Sequence, residues 1–149
     1  MSAAKTPRFS QERAAMITAR TAAIGLSAAS AAAMLYVGLY QLRAVTHLVC
    51  PLFGSCEIVA DAPFARPFGV PDGLIAFVLY AAILALLVLP GARPTWVWTT
   101  LVVLAALATV GNAVGVWDMM RLGAFCFYCL LTTVLSPILL WAVWAARQP

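Results

Sequence analysis

The residues best suited to chemistry in this chain are its four cysteines, which fall into two close pairs. Cys126 and Cys129 stand in Phe125-Cys126-Phe127-Tyr128-Cys129-Leu130, at the head of an apolar run that reaches Trp144. Cys50 and Cys56 bracket a short loop, Cys50-Pro-Leu-Phe-Gly-Ser-Cys56. If the run from Phe125 is a helix, Cys126 falls on its first turn, and Cys129 lies three residues further in on the same face. A thiol on a first turn meets the positive end of the helix macrodipole, which favours the thiolate. Two thiols at that spacing can form and break a disulfide within one turn, which is redox chemistry. In the loop, Pro51 and Gly54-Ser55 supply the turn that lets Cys50 and Cys56 approach each other.

The elements that must position these thiols are membrane helices. The 149 residues are 64% hydrophobic and 9% charged, whereas soluble domains carry roughly 25% charged residues. A soluble domain is excluded, and the length accommodates about four spans of ~20 residues with short connections. The expected fold is an all-α membrane protein: a four-transmembrane-helix bundle with a short capping segment in the first external loop, forming one integral membrane domain over 1–149. The spans are expected at about 21–42, 73–89, 96–117 and 125–143, after a polar tail over 1–15. Ala28–Ala33 resembles a signal-peptidase site, but apolar residues continue to Tyr40, which makes the first run a retained span. In the long connection, Phe53, Ile58, Val59, Phe64 and Phe68 are too apolar for a solvated loop and suit a cap resting on the helix ends. Pro63, Pro67 and Pro71 rule out a long helix after Asp61. Residues 118–124 read as a short turn, and Pro137 is expected to kink the last span.

Four spans put both termini on one side. Lys5, Arg8, Arg13, Arg20, Arg93 and Arg147 collect there, against Arg43, Arg66 and Arg121 opposite. That excess makes the termini cytoplasmic. All four cysteines then face a periplasm-like compartment in which disulfides persist. The small net charge of +4 reads as topology and gives no ground for nucleic-acid binding.

Four cysteines allow three pairings. Two structural staples, Cys50–Cys56 and Cys126–Cys129, would restrict the unfolded chain by only ~2 kcal/mol each for such short loops. Two pairs placed at one membrane face suit thiol–disulfide exchange better. Paired thiolates also suit soft metal ions, so a metal transporter is a reading of another class. Asn112 is a polar group within the third span, there for function or for a helix–helix hydrogen bond. Tyr80 lies ~10–12 Å into the second span, within reach of a cofactor head or simply core. Gly111 and Gly115 form a Gly-x-x-x-Gly, read as close helix packing. His47 stands three residues before Cys50, while Tyr36 and Tyr40 read as interfacial belt residues.

The loop pair between spans one and two, the Cys-x-x-Cys of span four, and Gly69-Val70-Pro71 entering span two resemble the vitamin K epoxide reductase family over Val45 to Trp144. Disulfide bond formation protein B has its cysteine pairs in the opposite order. The resemblance implies a membrane thiol:quinone oxidoreductase. Electrons would pass from a separate periplasmic thioredoxin-fold (DsbA-like) protein through Cys50/Cys56 and Cys126/Cys129 to a membrane quinone, ubiquinone or menaquinone. By the same resemblance Cys56 meets the partner, Cys50 attacks Cys126, and Cys129 lies beside the quinone. Helical rise puts Cys129 ~4–5 Å deeper than Cys126, which fits that order. Asp72, Tyr80, Asn112 and Thr133 are the expected quinone-binding residues. Asp72 stands where vertebrate members carry Asn, and Thr133 where they carry Tyr. Reduction of a quinone or quinone epoxide as the physiological product is the alternative within the family. The expected location is a bacterial cytoplasmic membrane.

Overall fold

The structure, a computed structural model, describes residues 8–52, 54–90 and 94–147, with Arg8 and Phe9 described only in their backbone. The described residues are helical in five stretches: α1 (Arg8–Gln41), α2 (Cys56–Ala60), α3 (Asp72–Val88), α4 (Thr95–Leu122) and α5 (Phe127–Arg147). α1, α4 and α5 are long and apolar enough to cross a membrane, and α3 is a shorter apolar helix. The chain is therefore built as a multi-pass membrane protein, in which backbone groups are satisfied inside each helix. The hydroxyls follow the same logic. Ser27, Thr99, Thr100, Thr109 and Thr133 each donate to the carbonyl four residues back, at 2.7–3.1 Å, which removes an unpaired donor from the apolar medium.

α1 is the spine. It packs along both α3 and α5, and α4 packs on α5, whereas α3 and α4 touch each other much less. The buried positions of α1 include Met34 and Val37 but are mostly small, Ala23, Ser27, Ser30 and Ala31, which lets two neighbours close on one helix. Closest approach is glycine against glycine: a Cβ added to Gly73 would sit 2.7 Å from the Gly38 backbone nitrogen and 2.9 Å from Gln41 Oε1. The Gly-x-x-x-Gly of α4 does something else. A Cβ on Gly111 or Gly115 would meet nothing within 4 Å, so these glycines leave space where close packing was expected.

Element ends differ from the expected ones in three places. α1 starts by Arg8, so the polar tail is helical at least from there. Its Arg, Glu, Ala and Met residues favour a helix and extend the apolar one outward. α4 continues through 118–122 in place of the expected turn, because Met119 is buried on its face and only Gly123, at φ 69°, can turn left-handed to stop it. Gly123 and Ala124 N–H then close on Met120 and Met119 carbonyls, both at 3.3 Å. α5 begins at Phe127, one residue after Cys126, and runs on through Pro137.

The cap is present. α2 is followed by two 3₁₀ turns, Pro63–Ala65 and Pro67–Gly69, as the prolines require. Leu48, Cys56, Val59, Ala60, Ala62 and Ala65 are its buried residues. Ile58 and Phe68, expected to dock it, are instead exposed; Phe64 is half-buried and Phe53 lies outside the described residues. Tyr40 is no belt residue either. It is 4% exposed and donates to Asp61 Oδ2 at 3.0 Å, while Arg43 bonds Asp61 Oδ1 at 3.0 Å, so Asp61 pins the end of α2 to the end of α1.

The glycine geometry makes a direct prediction. Gly73→Ala should lower the unfolding temperature in detergent, with a cost of about 1–3 kcal/mol for forcing backbone apart. Gly111→Ala should leave it unchanged or raise it, by up to ~1 kcal/mol, because the space is open and a helical glycine is removed. Equal losses in both would contradict the packing described.

Candidate functional site

Cys50 and Cys56 form a disulfide with their Cα atoms 5.9 Å apart, while Cys126 and Cys129 are free thiols. The two pairs meet at the N-terminal end of α5. Phe127 N–H points at Cys56 Sγ, 3.3 Å away, which brings the loop disulfide against the residue next to Cys126. Cys126 is fully buried. Its own N–H is taken by Met119 Sδ at 3.4 Å, so the extra turn of α4 is what seats this cysteine. Cys126 stands before α5 and not on its first turn, a position that still faces the open N–H groups of the helix end. The Cys129 thiol hydrogen-bonds Cys126 and holds its pKa below the ordinary thiol value. The N–H groups of Tyr128 and Cys129 add to this, against burial and the Asp72 charge, which push it up.

The exposure of the loop pair is the reverse of the expected ranking. Cys56 is 1% exposed, whereas Cys50 is half-buried. The physical reason is α2: Cys56 is its first residue, and the helix lies with Val59 and Ala60 inward. That face carries Cys56 down with them. His47 does not serve Cys50; its ring faces Glu57, at 3.7 Å from Oε1.

Inward of Cys129 is a cavity of about 260 Å³. Its walls include Met34, Asp72, Tyr80, Gly111, Asn112 and Cys129, so it opens in the sparse contact between α3 and α4. Of the four expected binding residues, the structure gathers Asp72, Tyr80 and Asn112 on this cavity. Thr133 is not among the residues lining it: its hydroxyl bonds back to the Cys129 carbonyl at 2.7 Å. Asn112 is the polar centre. Its Nδ2 lies 2.8 Å from Tyr80 Oη, 3.2 Å from Ser136 Oγ and 3.3 Å from the Thr132 carbonyl, and its Oδ1 accepts from Thr132 Oγ1 at 3.2 Å. Asp72 is held by Gln41, whose Nε2 donates to Oδ1 at 2.6 Å.

Three contributors escaped the sequence reading. Gln41, 2% exposed, bonds the Ala60 and Ala65 carbonyls of the cap as well as Asp72, and accepts from Gly73 N–H. A glutamine near the end of an otherwise apolar span was the available signal. Ser136 and Thr132, both fully buried, complete the Asn112 network, and their spacing of four puts them on one face of α5. Among the described residues no group of three or more His, Cys, Asp or Glu side chains is arranged to hold a metal ion.

The profile of the vitamin K epoxide reductase family matches residues 17–144, which is nearly the whole chain. The chain belongs to that family, and so is an oxidoreductase of the membrane with quinone-related redox chemistry. No curated protein matches it.

Thiolate absorbance tests the electrostatics of the inner pair. In Cys50→Ser/Cys56→Ser protein, the first thiol should ionise below the ordinary value near ~8.5. Adding Cys129→Ala should move that midpoint up, since the donor is lost. Adding Asp72→Asn should move it down, since a facing negative charge is lost. A midpoint indifferent to both changes would contradict the arrangement.

Proposed function

We propose that this protein is a thiol:quinone oxidoreductase of four membrane spans that drives disulfide formation outside the cytoplasm. The observation that carries the reading is the unbroken series of sulfurs and cavity: a loop disulfide touching Phe127, a buried Cys126 next to it, and Cys129 on the wall of a cavity inside the bundle. α3, with 17 residues, is at the short end of the ~17–25 that span a bilayer, which supports it as the fourth span.

In this reading Cys50 and Cys56 are reduced by a separate periplasmic thioredoxin-fold protein, which leaves oxidised. Cys56 thiolate then attacks Cys126 of the inner disulfide; the Cys56–Cys126 bond forms and Cys129 leaves as thiolate. Cys50 thiolate attacks Cys56, restores the loop disulfide and releases Cys126. The contact at Phe127 and the burial of Cys56 favour Cys56 as the inner partner and Cys50 as the thiol that meets the protein outside, so the roles implied by resemblance are exchanged. The inner dithiol finally gives two electrons and two protons to the quinone, and Cys126–Cys129 closes again.

The cavity fits a quinone head. Its walls are mostly apolar, and its volume of about 260 Å³ is close to the lower end of the ~300–1,000 Å³ of small-molecule sites. Asn112 and Ser136 both hydrogen-bond the Tyr80 hydroxyl, which holds a polar group on the cavity wall for a carbonyl oxygen to meet. Gly111 and Gly115, with open space before them, leave room for an apolar tail to pass between α3 and α4 into the bilayer. The quinone supplies the two-electron acceptor; the chain supplies position, a thiolate and the exclusion of water.

The test is purification in detergent, extraction of co-purifying quinone, and an assay of quinone reduction from a reduced thioredoxin-fold protein. The expected result is co-purified quinone and turnover that falls to the uncatalysed background in Cys129→Ala. In intact bacterial cells after reduction, a membrane-impermeant maleimide should label Cys50 well ahead of Cys56. Labelling only after permeabilisation would reverse the proposed orientation, in which the termini are cytoplasmic. Turnover of a quinone epoxide with no quinone reduction would favour the alternative product.

A further inference from the structure

The two residues between Cys126 and Cys129 both reach toward the loop cysteines. Phe127 offers its N–H to Cys56 Sγ at 3.3 Å. Tyr128 donates its hydroxyl to the Val49 carbonyl at 2.6 Å, one residue before Cys50. The Tyr128 ring is braced edge-on by Tyr36 at 5.4 Å and by Phe127 at 5.5 Å between centroids. Tyr36 completes the clamp: its oxygen accepts from Val49 N–H at 3.2 Å and donates to the His47 carbonyl at 3.3 Å. Both backbone groups of Val49 are therefore held by tyrosines, one on α1 and one on α5.

We propose that Tyr128 is a positioning residue for disulfide exchange: with Tyr36 it clamps Val49, and so seats the loop disulfide where Cys56 and Cys126 can react. This rests on the relay reading above. The physical need is plain. The described residues between Cys50 and Cys56 form bends and turns, with no helix of their own, so once the disulfide opens this segment needs a tie. Exchange requires a thiolate in line with a disulfide, and reactivity falls steeply when reacting groups are misplaced by about an ångström. The clamp also has to release. Cys50, the thiol that meets the outside protein, is itself half-buried, so reduction by that protein requires the segment around it to lift. A neutral hydrogen bond biases such a segment by a factor of about three to ten, enough to favour the seated position and weak enough to open in each turnover. A Cys-x-x-Cys is thus more than two sulfurs here, because its middle residues hold the electron donor in place.

The test uses the full chain as Cys50→Ser/Cys129→Ser, in which Cys56 and Cys126 are the remaining thiols. Diamide oxidises them to a Cys56–Cys126 disulfide, with two electrons and two protons passing to the diazene, and mass spectrometry of the linked peptides follows the rate. Adding Tyr128→Phe, which keeps the ring and removes the hydroxyl, should slow cross-linking about threefold to tenfold. It should raise the rate of Cys56 alkylation by a small maleimide, with the unfolding temperature little changed. Tyr36→Phe should act in the same direction and serves if Tyr128→Phe folds poorly. As the control for a merely structural effect, closure of Cys126–Cys129 in Cys50→Ser/Cys56→Ser protein should keep its rate with Tyr128→Phe. Cross-linking at the parent rate in both tyrosine variants would overturn the clamp while leaving the relay standing. Absence of any Cys56–Cys126 bond in the parent would overturn the relay and the clamp with it.

Discussion

The side chain of Gln41 is the interaction on which the cysteine-bearing end of the molecule depends. It ends α1, is 2% exposed, and its amide reaches two cap carbonyls, the Asp72 carboxyl and the Gly73 N–H. Its backbone carbonyl accepts from Arg66 at 2.8 Å. One residue thus joins the spine, the cap and the start of α3. The junction is possible because Gly38 and Gly73 let the two helices approach closely. Loss of this amide would leave several buried groups unpaired, at about 1–3 kcal/mol for each. It would also free the segment that carries the loop disulfide and the carboxyl that faces the inner thiols.

The chemistry follows from how that end is layered. Cys50 is half-buried, Cys56 and Cys126 are dry, and Cys129 opens on a cavity within the bundle. In the proposed relay, water is kept from the middle of the path, where a stray thiolate would be most open to side reaction, and polar groups are collected at its two ends. The inner end is ordered by Asn112 with Tyr80, Ser136 and Thr132. In an apolar surround such a network persists only if each member finds a partner, which makes it a rigid edge of the cavity. The loose seam between α3 and α4 then reads as part of the design, since tight packing there would close the cavity.

Much of this was legible in the residues. The apolar runs located three long helices and the shorter α3, because few other structures satisfy a backbone in lipid. The prolines after Asp61 predicted short turns, and the cysteine spacing pointed to two pairs, which the fold brings together at the start of α5. What stayed hidden was tertiary. Gly111 and Gly115 carry the pattern of a packed interface, yet only the partner helix decides whether glycine admits a neighbour or leaves a gap. Thr133 has the right place in the chain, but its hydroxyl had a nearer acceptor one turn back. The burial of Cys56 below Cys50 depends on which face of a five-residue helix lies inward, something no periodicity can register over so short a stretch. Tyr36 looked like a belt residue because a tyrosine near a span end usually is one, and Tyr128 drew no notice. Their clamp on Val49 exists only once α1 and α5 are side by side.

The central claim is that electrons cross between the two cysteine pairs inside one chain. Fully reduced protein given one equivalent of a short-tailed quinone without oxygen, then quenched and mapped by differential alkylation over time, tests it most directly. The account predicts a disulfide first at Cys126–Cys129 that passes to Cys50–Cys56 while the inner thiols become free again, the arrangement seen in the structure. A disulfide that forms at Cys126–Cys129 and stays there, with Cys50 and Cys56 reduced throughout, would contradict it.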